Sequence, residues 1–245
     1  MDVLSLAVAA IVGAGTGYAA PLAADAVATP RYGAGAEGHD PEDLELAPLR
    51  APSTQRQRTV CAVLGTLAAA AVVDRLGAWE VRALFGVVGW LVLVACVVDL
   101  QYLRLPNALT YPAAVAAVGL SALASARLDA PFEGAVVGAL AYPGVLLFAA
   151  LALAAVGRKN TLGGGDPKLA ISLGASIGWL GGVFTEPSWA GAAQFIIVAA
   201  MIGNVLGAVV GIVALRALDK PFPFGPYLAI GWFATILLWE QLAVT

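Results

Sequence analysis

The amino-acid sequence predicts an all-α fold, a polytopic membrane helix bundle of about eight transmembrane helices. Two properties of the chain lead there. Its 245 residues are 60% hydrophobic and only 12% charged, with a mean hydropathy of +0.87, whereas a soluble domain carries roughly 25% charged residues. Apolar runs of about 20 residues also recur from end to end, each long enough to cross the hydrocarbon core as a helix. Lipid offers backbone amides and carbonyls no partner, so such runs are expected to pack as a helical bundle. The whole of 1–245 is read as one integral membrane domain.

The first run, 3–29, opens behind Asp2 rather than behind the positive charge of a secretory signal, and it reads as a membrane span. Residues 30–58 follow. They are polar, mixed in charge and rich in Pro and Gly, a composition that cannot build a core, and they predict a flexible cytoplasmic loop. The remaining runs are 59–77, 82–101, 108–127, 132–156, 168–184, 190–215 and 225–243. The sixth span is short and glycine-rich and the first contains Asp25, which leaves a count of seven open. In the seventh span "GNVLGAVVG" sets Gly203, Gly207 and Gly211 four apart on one helix face, a surface for close packing between helices.

The basic residues supply an independent test of the count. With eight spans, ten Lys and Arg residues fall on one side: Arg31, Arg50, Arg56, Arg58, Arg104, Arg158, Lys159, Lys168, Arg216 and Lys220. Only Arg75, Arg82 and Arg127 fall on the other. The positive-inside rule then places the first side in the cytoplasm and both termini outside.

Several chemistries drop out. The net charge of −3 gives no sign of a nucleic-acid partner. Cys61 and Cys96 sit in apolar runs and form no CxxC pair, so they read as small core residues. One histidine, His39 in the 30–58 loop, excludes a histidine-rich metal site, and no metal or cofactor site is expected.

Acids inside membrane spans are costly and demand a reason. Asp74, Glu80, Asp129, Glu133, Glu186, Asp219 and Glu240 fall near span ends, where solvation accounts for them. Asp99 closes the apolar run "LFGVVGWLVLVACVV", where a negative charge opposes the helix dipole. A local reading pairs it with Arg104, with Pro106 ending the helix and Asn107 capping the next. Asp166 follows Gly163, Gly164 and Gly165 and precedes Pro167, which suits an N-cap, although three glycines also give room for close approach of another chain. The topology delivers both acids to the cytoplasmic end of the bundle. Paired carboxylates share a proton and so supply a general acid and a general base without metal or cofactor.

These residues also carry a resemblance. "GGGDPKL" looks like the GxGD signature of aspartic membrane proteases, and together with "DLQYLRLPNALTYP" it is similar to the type IV prepilin peptidase family. That family's Pro-Asn-x-Leu-Thr-like stretch is matched by Pro106, Asn107, Leu109 and Thr110, and its lysine after the second aspartate by Lys168. Its Phe-Gly-Pro segment before the last span is matched by Phe224, Gly225 and Pro226 in "FPFGPYLAIG", read as candidates for a substrate channel. The resemblance implies an aspartic endopeptidase of the inner (plasma) membrane with Asp99 and Asp166 as its catalytic pair. It also implies a prepilin or pseudopilin substrate with a basic leader and an apolar helix, cut on the cytoplasmic side. The chain departs from the family in two places. The 30–58 loop lacks the zinc-binding CxxC pairs of many bacterial members, a short form to which the resemblance does not assign N-methylation, and Pro167 replaces a residue with a backbone N–H.

Two other readings fit the residues. A preflagellin-processing or presenilin-like GxGD protease would use the same pair. An ion-coupled transporter would also place acids on glycine-rich helices, though no inverted repeat is visible. The acids of the loop, Glu37, Asp40, Glu42, Asp43 and Glu45, fit either a solvated linker or a docking surface.

Overall fold

Each apolar run folds as helix. The computed structural model describes residues 3–32, 53–155, 163–215 and 223–243. Among them are nine helices: α1 (Val3–Tyr32), α2 (Gln55–Arg75), α3 (Trp79–Tyr102), α4 (Asn107–Leu128), α5 (Glu133–Ala155), α6 (Asp166–Phe184), α7 (Ser188–Leu215), α8 (Gly225–Leu237) and α9 (Trp239–Leu242). No strand occurs among the described residues. Most of the predicted loop, 33–52 with His39 and its acids, lies outside the described residues, as do Arg158, Lys159, Arg216, Asp219 and Lys220.

The chain is a polytopic helical bundle. Six helices, α1 to α5 and α7, are long and apolar enough to cross a membrane. The other two long runs fall outside that set, α8 because it has only 13 residues. α6 is diluted by Gly, Ser, Asp166 and Lys168, yet 14 of its 19 residues are buried. It packs against α3, α4, α5, α7 and α8 and occupies the middle of the bundle. A helix wrapped in protein has no need of a lipid-soluble surface.

Two boundaries differ from the sequence expectation. α2 begins at Gln55 rather than 59 because Thr54 closes a capping box. Its Oγ accepts from Gln57 N–H at 3.2 Å, while Gln57 Oε1 accepts from Thr54 N–H at 2.7 Å. The predicted 225–243 span breaks at Leu238, which leaves helical geometry with φ −95° and ψ 4°. Beyond the break Trp239 turns against Phe184, ring centroids 4.4 Å apart.

Asp25 does not stand bare in α1. Both its oxygens accept from Ser53 N–H at 3.0 Å, and Oδ2 also accepts from Ser53 Oγ at 2.6 Å. Arg58 in turn donates to Ser53 Oγ at 3.2 Å and to Ser53 O at 3.3 Å. A carboxylate in an apolar helix is tolerated when its lone pairs are occupied in this way. Glu80, read from sequence as a solvated acid, is instead only 9% exposed; it lies in the first turn of α3, where the helix dipole favours it.

Small residues set the closest helix pairs. Gly134 and Gly138 of α5 lie against Gly174, Gly178 and Gly182 of α6, and a Cβ on Gly138 would sit 2.7 Å from Gly174 C and 3.0 Å from Gly178 Cα. Gly17 of α1 and Gly65 of α2 meet equally closely. These are small-xxx-small contacts, in which backbones touch and dispersion replaces a hydrophobic drive. The predicted glycine face of α7 packs too: Gly203 meets Tyr227 O and Gly207 meets the Phe224 ring. The surroundings of Gly211 lie outside the described residues.

Tryptophans tie the helices laterally. Trp179 on α6 donates to Ser125 Oγ on α4 at 2.7 Å, and Trp232 on α8 donates to Ser176 Oγ on α6 at 2.9 Å. Trp90 on α3 donates to Thr16 O on α1 at 3.1 Å.

Candidate active site

Asp99 lies in the last turn of α3, one turn beyond Cys96, and is 5% exposed. The helix ends sharply after it. Leu103 takes a left-handed conformation (φ 52°, ψ 33°) and returns its N–H to Asp99 O at 2.8 Å. This cap satisfies an end carbonyl and costs about 1 kcal/mol in a residue with a Cβ. It also folds Arg104, Leu105 and Pro106 back across the end of the bundle.

Leu105 lands on the glycine turn. A Cβ on Gly165 would stand 3.0 Å from Leu105 O and 3.3 Å from Leu105 Cα, so the close approach requires glycine there. A Cβ on Gly164 would meet nothing within 4 Å. The other chain anticipated beside these glycines is, at Gly165, the protein's own α3–α4 loop.

Asp166 is the first residue of α6, not its cap. Gly165 occupies the cap position with φ −82° and ψ −30°, already right-handed, and Pro167 comes second in the helix. The Asp166 carboxylate therefore turns backward. Oδ2 accepts from Gly163 N–H at 2.9 Å while Asp166 N–H donates to Gly163 O at 3.1 Å, a turn closed from both ends. The side chain is 5% exposed.

The two acids meet. α3 packs against α6, Asp166 is within electrostatic range of Asp99, and Cys96 is within range of both. Asp99 Oδ2 accepts from Gly225 N–H at 2.8 Å. Each acid thus has one oxygen engaged by a glycine amide.

The remaining motif residues are placed as follows. Pro106 takes the cap position of α4, and Asn107, expected to cap, does not. Its Oδ1 instead accepts from Lys168 Nζ at 2.7 Å, and the ammonium also lies 5.6 Å from the centroid of the Tyr111 ring. The first turns of α4 and α6 are pinned together by this bond. Lys168→Met is expected to cost about 1 kcal/mol, read as a fall of a few degrees in Tm, with Lys168→Arg in between. Gly225 contacts Asp99, Phe224 packs on Gly207, and Pro226 stands second in α8. Gln101 and Thr110, in the same stretch as Asp99, are buried with no side-chain partner among the described residues. The amides of Gly163 and Gly225, Leu105 and Tyr111 escaped the sequence reading, since no single-residue signal marks a contact between distant segments.

Fold and site together define a class: a polytopic membrane protein that buries two acidic side chains at one end of its bundle. Residues 86–215, just over half of the chain, match the Type IV leader peptidase family, and the chain belongs to that family. The matched stretch contains both acids and stops short of Gly225. Among curated proteins, the chain is similar to the Prepilin leader peptidase/N-methyltransferase of Aeromonas salmonicida (strain A449), 34% identical over 153 residues, 61% of this chain and 47% of that one. The protein of the same name from Stutzerimonas stutzeri is 34% identical over 167 residues, 66% of this chain and 50% of that one. That of Aeromonas hydrophila is 31% identical over 193 residues, 78% of this chain and 60% of that one. The chain spans about half the length of the first two. No solved structure matches it.

Proposed function

We propose that the chain is an aspartic endopeptidase of the inner (plasma) membrane that removes the leader from type IV prepilin-like proteins at the cytoplasmic face. The observation that supports this is the burial of two carboxylates from separate helices, Asp99 and Asp166, within electrostatic range at one end of the bundle. The names of the relatives support the substrate class, and the ten-to-three bias of basic residues supports the orientation.

The chemistry follows from the pair. Two buried carboxyl groups within electrostatic range hold one proton between them. The ionised member takes a proton from water as the water oxygen bonds to the scissile carbonyl carbon. The protonated member gives its proton to the carbonyl oxygen. Collapse of the tetrahedral intermediate breaks the C–N bond, and a proton passes to the departing amine. The glycine amides hold one oxygen of each acid and leave the other for water and substrate.

The test is a cleavage assay on membranes carrying the protein, with a co-expressed prepilin. A shortened product is expected, formed equally well after zinc chelation, because the two carboxylates supply both acid and base. Loss of cleavage on chelation would contradict that mechanism. Solute flux in vesicles with no peptide cut would favour a transporter instead.

A further inference from the structure

The Phe-Gly-Pro segment has a geometry that lining a channel would not need. Gly225 N–H donates to Asp99 Oδ2 at 2.8 Å in a buried setting, across 126 residues of sequence. A Cβ on residue 225 would lie 3.0 Å from that oxygen and 3.6 Å from Asp99 Cγ, so a side chain here pushes the carboxylate aside by a few tenths of an ångström. Pro226 carries no N–H, and the amides of Tyr227 and Leu228 are committed to Phe224 O at 3.1 and 3.3 Å. Gly225 therefore supplies the first turn's amide for Asp99.

The helix behind that amide is braced on two sides. On α7, Gly203 lets Tyr227 O approach and Gly207 lets the Phe224 ring approach, while Gly231 of α8 lies against Ala199 O and Gly203 N. These contacts fix the height of the first turn. On α6, which carries Asp166 at its start, Ser176 accepts from Trp232 Nε1 at 2.9 Å. One short helix thus grips Asp99 by its first amide and the Asp166 helix by an indole two turns on.

We propose that α8 is a spacing strut for the acid pair, with Gly225 and Trp232 as positioning residues that set where Asp99 stands relative to Asp166. The role rests on the proposed peptidase reaction and deepens it: the segment acts on the acids rather than on the substrate. Misplacement of a reacting group by about 1 Å costs on the order of a hundredfold in rate.

The experiment measures kcat, KM and Tm for Gly225→Ala and Gly225→Val on a prepilin substrate, with Asp99→Asn alongside and Gly119→Ala as a control. A Cβ on Gly119, which lies on α4 away from the acids, meets nothing within 4 Å. The expected result is a graded loss of kcat, about ten- to a hundredfold for alanine and more for valine. KM should stay within about twofold of the parent, since substrate contacts are untouched. Gly119→Ala should match the parent. Should Gly225→Ala fail to fold, Trp232→Phe carries the test, because it keeps an aromatic ring while removing the bond to Ser176 and the outer part of the indole. Its kcat should fall about three- to tenfold at constant KM. A rise in KM at unchanged kcat would return Gly225 to the substrate channel and overturn the strut, as would parental kcat in Gly225→Ala or in its substitute Trp232→Phe. Either result alongside an inactive Asp99→Asn leaves the acid pair standing. Cleavage by Asp99→Asn at the parental rate would overturn the pair and the strut together.

Discussion

Replacing Asp166 with asparagine is expected to stop prepilin cleavage while the protein still inserts and folds, and Asp99→Asn is expected to do the same. The substitution is nearly isosteric, and the carboxamide oxygen can still accept from Gly163 N–H, the 2.9 Å bond that closes the turn before α6. What is lost is the ability to exchange a proton with water. General acid–base catalysis contributes about 10²–10⁴-fold, so each single variant should fall by at least that range. The double variant should be hardly worse, because the two groups act as one unit. The measurement is single-turnover cleavage in detergent, with Tm recorded on the same samples. Either single variant cleaving at the parental rate would remove the acid pair from the mechanism.

The second large effect concerns the helix that presents Asp166. Gly138→Val is expected to destabilise the bundle by about 3 kcal/mol, because its Cβ would meet backbone atoms, Gly174 C at 2.7 Å and Gly178 Cα at 3.0 Å, rather than a side chain that can swing away. α5 and α6 would have to separate along a contact that continues through Gly134 and Gly182. Thermal unfolding in detergent should show a drop of several degrees with cleavage reduced in parallel. The same change at Gly119, which faces open space, should leave Tm within a degree or two.

Much of the architecture could be read from hydropathy because lipid permits few alternatives. The run 82–101 became Trp79–Tyr102 and 108–127 became Asn107–Leu128. Local chemistry moved other edges. The Thr54–Gln57 pair is a capping box written in the sequence, and it pulls α2 four residues into the predicted loop. The apolar stretch from Trp232 onward offers no Gly or Pro to announce the bend at Leu238.

At the site, the motifs told which residues to watch but not what each touches. Asn107 and Asp166 both looked like helix caps, and neither caps. Asn107 is taken by Lys168, 61 residues away, and Asp166 folds back on Gly163. Gly165 is a glycine because of Leu105, and Gly225 approaches Asp99 because α7 carries Gly203 and Gly207 where α8 begins. Such contacts depend on how helices from distant parts of the chain are stacked, and no periodicity encodes that.

α6, with only 5 of its 19 residues not buried, has one more consequence, this time for biogenesis. A segment with Asp166 and Lys168 in its first turn and six serines and glycines thereafter partitions poorly into bilayer on its own. It enters with its neighbours, against the glycine face of α5 and under the indole of Trp232. The nascent chain therefore holds Asp99 in the membrane before Asp166 is seated, and the Gly225 amide reaches Asp99 only once α8 is made. Under the proposed peptidase reaction, the acids stay idle until α8 delivers that amide, which spares unfinished molecules from cutting the membrane proteins emerging beside them.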